Sequence, residues 1–199
     1  MNKCKPCSLG RFQNETGQHT CDGRPSGKYH QSEGIDSVEN CTECANGKYR
    51  YAPTGSSVCS DCSPGKFTPS EGKSECLLCP PGKYQDELGM LDCKNCSSGR
   101  FQNETGQHAC KNCSAGFVSE IGYDECNPCD SGEYQNEDGH TVCMRCGKGR
   151  FMDESAATSC DICPSGYYQY KIGSTSCEEC PKGWVQPFEG QQLCTFICV

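Results

Sequence analysis

Large aliphatic side chains are scarce in this sequence of 199 residues, and its mean hydropathy is −0.72. A chain so composed cannot bury a continuous apolar core, which excludes an ordinary globular domain of this length. Amphipathic helical periodicity is absent as well, so bundles and coiled coils are excluded. No apolar run approaches membrane-spanning length, and the chain is read as holding no membrane segment. Basic charge is the minority sign. Eighteen Lys and Arg against 26 Asp and Glu leave a formal net charge of −8, so nucleic acid is not an expected partner. No linker or compositional shift separates two domains.

Cysteine is present in excess. Its 23 residues mark a disulfide scaffold and an oxidising compartment, secreted or at the cell surface. They keep a seventeen-residue frame, Cys-Pro-x-Gly-[Lys/Arg]-[Phe/Tyr]-x4-Gly-x3-Cys-x-x-Cys, whose last Cys opens the next copy. Ten Cys-x-x-Cys pairs stand at 4/7, 41/44, 59/62, 76/79, 93/96, 110/113, 126/129, 143/146, 160/163 and 177/180. A fixed short period means a linear array rather than a globule. The expected organisation is one continuous array over 1–199, about eleven copies of roughly 17 residues, with an irregular second copy at 24–41. Single copies should not fold alone, because covalent staples and neighbour packing must stand in for a core.

Within each copy a glycine follows three residues after the opening position, from Gly10 to Gly183. Glycine there suits a turn with positive φ or a close backbone approach. Two residues on stands an aromatic such as Phe12, Tyr84 or Tyr134, shifted by one at Phe117 and Trp184. One aromatic per copy reads as a packing plate against the neighbouring disulfide; a ligand-stacking ladder is the sharper alternative. A second glycine, for example Gly106 or Gly173, marks the return turn. The expected fold class is a small disulfide-rich repeat array, an elongated rod of short β-hairpins and turns with little or no helix.

The frame breaks in two places. Arg24 holds an opening cysteine position, in a loop to Cys41 three residues longer than usual. Near the other end Cys194 is followed by Thr-Phe-Ile-Cys198 instead of a two-residue gap. Such places are where a bend, a special contact or an end cap is expected.

Five Asn-x-Ser/Thr sequons stand at Asn14, Asn40, Asn95, Asn103 and Asn112. Asn14 and Asn103 are the better acceptors, each inside the identical string GRFQNETGQH at residues 10–19 and 99–108. The other three have Cys between Asn and Ser/Thr, so a disulfide competes with glycan addition. No signal peptide precedes Cys4, although such an array needs export, and the sequence is therefore expected to be a fragment of a longer array or a mature form.

Spacing alone leaves connectivity open. Cys-Pro-x-Gly-x-[Phe/Tyr], closing some fourteen residues later on the first Cys of Cys-x-x-Cys, resembles the ephrin-receptor-like cysteine-rich repeat and is similar to the first-loop module of TNF-receptor cysteine-rich domains. The resemblance covers nearly the whole chain and is specific for module type, not for task, since such arrays occur in many surface and matrix proteins, including those of algae and protists. It implies that the second Cys of each pair bonds the first of the next, giving Cys7–Cys21, Cys44–Cys59, Cys62–Cys76, Cys79–Cys93, Cys96–Cys110, Cys113–Cys126, Cys129–Cys143, Cys146–Cys160, Cys163–Cys177 and Cys180–Cys194. Cys4, Cys41 and Cys198 are left over, either unpaired, bonded to another chain, or completed by neighbouring sequence.

Other chemistry fits less well. Paired Cys-x-x-Cys motifs also resemble thiolate zinc sites; the sequons and the Pro-x-Gly context weigh against them, and neither metal nor cofactor is expected. His19, His30, His108 and His140 sit in polar loops without a pocket to tune them, so no catalytic residue is expected. A basic stripe (Arg11, Lys28, Lys48, Lys66, Lys83, Arg100, Arg150) recurs beside acidic residues. It is either solvated charge with local pairing or a register device between adjacent rods.

Taken together, the residues and the resemblance point to a non-catalytic extracellular structural glycoprotein. It would be a segment of a surface or matrix fibre, such as a flagellar hair (mastigoneme) or cell-coat filament. Its partners would be copies of itself or other fibre subunits, and its decoration N-glycans. The rival reading is a receptor-type ectodomain binding a protein or glycan ligand.

Overall fold

The computed structural model describes residues 7, 8, 11–15, 18, 20–33, 41–51 and 58–196. Cys4, Cys198, Asn40 and His19 therefore lie outside the described residues. The chain divides into two compact units, Met1–Lys94 with Glu104–Ala109, and Asn95–Asn103 with Cys110–Val199.

Among the described residues there is no helix. Two-residue strands pair, in chain order, into eleven two-stranded antiparallel sheets. The expectation of short hairpins and turns is borne out, and the reason is local. In the copy opened by Cys129, the amide of Glu133 donates to the carbonyl of Asp130 (3.0 Å) around Gly132, whose φ is +85°. A positive φ at the third residue is what a type II turn requires. The turn sends Glu133–Tyr134 back against Met144–Arg145, the two residues inside the next Cys-x-x-Cys, with Glu133 opposite Arg145 and Tyr134 opposite Met144. The same register recurs, for example Lys48 opposite Asp61 and Arg150 opposite Ile162. Each Cys-x-x-Cys thus carries a strand between its two sulfurs.

Among the described residues ten disulfides close the loops: Cys7–Cys21, Cys44–Cys59, Cys62–Cys76, Cys79–Cys93, Cys96–Cys110, Cys113–Cys126, Cys129–Cys143, Cys146–Cys160, Cys163–Cys177 and Cys180–Cys194. The sulfurs are the core, with the opening cysteines from Cys44 to Cys163 at most 1% exposed. Tyr134 packs against the cluster of Cys146, Met152 and Cys160, so in this copy the aromatic is a plate on the following disulfide. Most other aromatics are only half-buried.

The residue after the aromatic pair is buried in copy after copy: Thr68, Gln85, Gln102, Ser119, Gln135, Met152, Gln169 and Gln186. Where it is glutamine it acts as an internal staple. Gln135 Nε2 donates to the carbonyl of Val142 (2.7 Å), and its Oε1 accepts from the amide of Glu137 (3.1 Å), tying the loop's outward and return limbs together. Gln85, Gln169 and Gln186 repeat both bonds. This position looks free in the sequence frame because Thr, Ser, Met and Arg share it; recurrent Gln at 85, 102, 135, 169 and 186 was the available signal. Gln135→Ala is expected to lose about 1–3 kcal/mol, since a buried polar contact goes without replacement. Amide exchange at Glu137 under non-reducing conditions measures it; unchanged protection would rule out the staple.

Candidate functional site

The chemistry this array can offer lies in how one loop receives the next. Within each unit, three backbone contacts recur. The first glycine of a copy donates to the residue after the aromatic pair in the next copy, as in Gly132 to Met152 (2.8 Å) and Gly149 to Gln169 (2.7 Å). The second glycine donates back to the opening cysteine of the preceding copy, as in Gly106 to Cys79 (2.8 Å) and Gly173 to Cys146 (2.7 Å). The residue after the aromatic pair donates to the carbonyl beyond the second glycine of the next copy, as in Gln85 to Gln107 (3.2 Å) and Gln135 to Ala157 (3.0 Å).

Contact also reaches two copies on. A Cβ added at Gly65 would collide with the carbonyl of Gly106, and one at Gly132 with that of Gly173. The second-glycine turn lies over the residue preceding an opening cysteine, such as Leu78 beneath Gly106 or Ile162 beneath Gly190. In the copy opened by Cys146 the second-glycine place is taken by Ala156, the one non-glycine among the described residues with positive φ (58°). Its amide makes the standard bond, to the carbonyl of Cys129 (2.8 Å).

The basic stripe is used locally. Lys48 meets Asp61 across the hairpin (2.6 Å), and Lys28 and Arg145 face Glu43 and Glu133 (both 3.5 Å). Arg100 Nε donates to Asn112 Oδ1 (2.9 Å), and Arg150 Nη1 to the carbonyl of Cys160 (3.0 Å). Lys94 bonds both Asp86 (2.7 Å) and Glu87 (2.6 Å). Those carboxylates raise the Lys94 pKa above the ordinary lysine value, and Lys94 in turn holds Asp86 below the ordinary carboxylate value. Exposed pairs of this kind contribute little stability.

Arg24, which replaces an opening cysteine, is buried at 1% exposure. Its Nη1 donates to the carbonyl of His30 (2.9 Å) and its Nη2 to that of Arg11 (3.3 Å), so hydrogen bonds to two successive copies stand where a disulfide would. Cys41, the orphaned partner, is a free thiol at 8% exposure. Arg50 Nη1 donates to the carbonyl of Lys28 (2.7 Å). Burial lowers the Arg50 pKa, the Arg24 charge lowers it further, and Cys41 opposes both. Arg24→Cys is expected to restore a bridge to Cys41 and add about 3 kcal/mol, less the lost guanidinium bonds. Non-reducing peptide mapping reads the bridge directly; a variant in which position 24 and Cys41 both remain open to alkylation would contradict it.

Among the sequons, Asn14 and Asn103 are exposed in their loops. Asn95 and Asn112 stand on strands, beneath the turns at Gly122 and Gly139 respectively. No group of His, Cys, Asp and Glu among the described residues could hold a metal ion, and the zinc alternative lacks the free thiolates it needs because the paired cysteines are bridged. No helix is long and apolar enough to cross a membrane among the described residues.

These hairpins, bridges and interlocked turns define a disulfide-rich repeat module of extracellular or secreted type. Family comparison agrees. The model described as tyrosine-protein kinase ephrin type A/B receptor-like matches residues 50–90, 82–121, 116–161 and 155–194, and the chain belongs to this ephrin-receptor-like family. No curated protein matches the chain closely enough to count as a relative.

Proposed function

We propose that the chain is a non-catalytic structural subunit of an extracellular fibre, built to associate with copies of itself or with similar subunits. The observation that carries this reading is the recurrence of the same backbone contacts from copy to copy, from Gly27–Arg50 to Gly166–Gln186, so that each loop is a receptor for the next and a ligand of the last. Cys4 and Cys198 would link successive subunits covalently. A buried thiol such as Cys41 reaches another chain only after local opening. Negative-stain microscopy and non-reducing mass analysis of native material test the reading. Filaments with intermolecular Cys4 or Cys198 peptides are expected; a monodisperse monomer would defeat it.

The family description favours a second reading, a receptor-type ectodomain. Exposed Trp184, Phe188, Leu193 and Phe196 would then serve as its ligand edge. A monomer that binds ligand through these residues would support that reading instead.

N-glycans belong to the first reading. Asn103→Gln is expected to remove a glycan mass from the secreted protein and Asn112→Gln to remove none, because Arg100 holds the Asn112 side-chain oxygen and the Cys113 between Asn112 and Ser114 is bridged to Cys126. Equal occupancy at both sites would count against this assignment.

A further inference from the structure

Three tyrosines stand within four residues on the loop closed by Cys163–Cys177: Tyr167, Tyr168 and Tyr170. Tyr167–Tyr168 pairs with Glu178–Glu179, so that Tyr168 lies opposite Glu178. Side chains opposite one another across an antiparallel pair are close enough to interact. Here they bond, the Tyr168 hydroxyl donating to Glu178 Oε2 (2.9 Å). That bond raises the Tyr168 pKa above the ordinary phenol value. Tyr134 and Tyr49, by comparison, face Met144 and Ser60 and have no carboxylate opposite. Gln169 is buried, with its Nε2 on the carbonyl of Ser176 (2.7 Å), and the tyrosines on either side of it face outward, as alternation along an extended chain requires. Their rings are stacked, with centroids 6.3 Å apart and planes 20° apart. Lys171 Nζ stands 5.1 Å from the centroid of the Tyr170 ring and bonds the Tyr170 hydroxyl, which raises the Lys171 pKa.

We propose that Tyr168 and Tyr170 form an oxidative cross-linking site, at which hydrogen peroxide and a haem peroxidase join the two rings by a carbon–carbon bond. Each tyrosine gives one electron to the peroxidase and loses one proton, and the peroxide is reduced to two waters. The Tyr168 proton passes to Glu178 along their hydrogen bond, whose length suits a general base. Its oxygen is thereby spared the positive charge of an oxidised phenol. Tyr170 is 43% exposed and its oxygen accepts from Lys171, so its own proton goes to water. The two phenoxyl radicals then couple, ortho carbon to ortho carbon. Two protons leave those carbons and two return to the oxygens, restoring both phenols. The product lacks two hydrogen atoms relative to the parent chain, and nothing else departs. Stacking holds the rings side by side before the radicals form, and the more exposed Tyr170 is the one free to slide into bonding distance. The link would add a second covalent tie to a loop already closed by Cys163–Cys177. It needs an oxidising setting and is independent of both the fibre and the receptor readings.

The test uses the full chain with its bridges intact. It is treated with a haem peroxidase and limiting hydrogen peroxide, then reduced, alkylated and cut with trypsin. The peptide of residues 151–171 is expected to lose the mass of two hydrogen atoms and to give no fragments from cleavage between Tyr168 and Tyr170. Tyr168→Phe and Tyr170→Phe should each abolish that loss, and Tyr167→Phe, on the same strand, should retain it. Glu178→Gln keeps an acceptor for the hydroxyl but cannot take up its proton, and the initial rate of linking should fall by about tenfold or more. A wild-type peptide of unchanged mass, or a loss that survives Tyr170→Phe, would overturn the proposal. Dityrosine found only between chains would overturn it as well. An undiminished rate in Glu178→Gln would remove the proton transfer, and with it the reason for Tyr168 to react.

Discussion

Gly132→Ala is expected to open the second unit locally, by about 2–3 kcal/mol, against the roughly 1 kcal/mol of an average substitution. Two effects add. An L side chain at φ +85° costs on the order of 1–2 kcal/mol in backbone strain. The new Cβ also collides with the Gly173 carbonyl, which belongs to a backbone segment and cannot swing aside like a side chain. Relief requires the turn at Gly173 to lift, and that breaks its bond to Cys146 (2.7 Å). One net backbone hydrogen bond is worth about 1 kcal/mol. Gly147→Ala is the control, because nothing lies within 4 Å of its Cβ position and its φ is not positive. Hydrogen exchange under non-reducing conditions separates them: the Gly173 amide should exchange about a hundredfold faster in Gly132→Ala and at the wild-type rate in Gly147→Ala. Equal protection in both variants would mean that contact across two copies contributes nothing.

Full reduction should have the largest effect of all. Each bridge closes a loop of 13 to 15 residues, and a loop of about 15 residues is worth roughly 3 kcal/mol, chiefly through the unfolded chain. No apolar core stands behind the bridges, since the most buried side chains are the cysteines themselves and polar residues such as Arg24, Gln102, Gln135 and Thr68. Dithiothreitol without denaturant is therefore expected to abolish all amide protection and to make the chain sensitive to trypsin throughout. A reduced chain that kept native protection would show that hydrogen bonding between copies suffices, and the scaffold account would be wrong.

Much of a single loop was legible in the sequence. The glycine three residues after each opening cysteine, the aromatic beyond it and the Cys-x-x-Cys exit all act within one copy, and local chemistry decides them. A turn such as Asp130–Glu133 needs only its own four residues, and Tyr134 meets Met144 because the turn sets the register. The buried glutamines were less visible. Gln135 looks like any surface glutamine until the return limb at Val142 is placed beside it, and Thr68 or Met152 in the same place dilutes the pattern. Arg24 stood out as a lost cysteine, but its bonds to the carbonyls of Arg11 and His30 depend on where two neighbouring copies run.

The seventeen-residue cysteine frame by itself determined that the protein is a disulfide-closed repeat array of short hairpins with no continuous core, because periodicity and composition leave no other way to order so polar a chain. Tertiary structure alone decided that a loop touches its second neighbour as well as its first. The stacking of Gly106 on Gly65, or of Gly173 on Gly132, depends on how successive copies are placed, which loop closure leaves free.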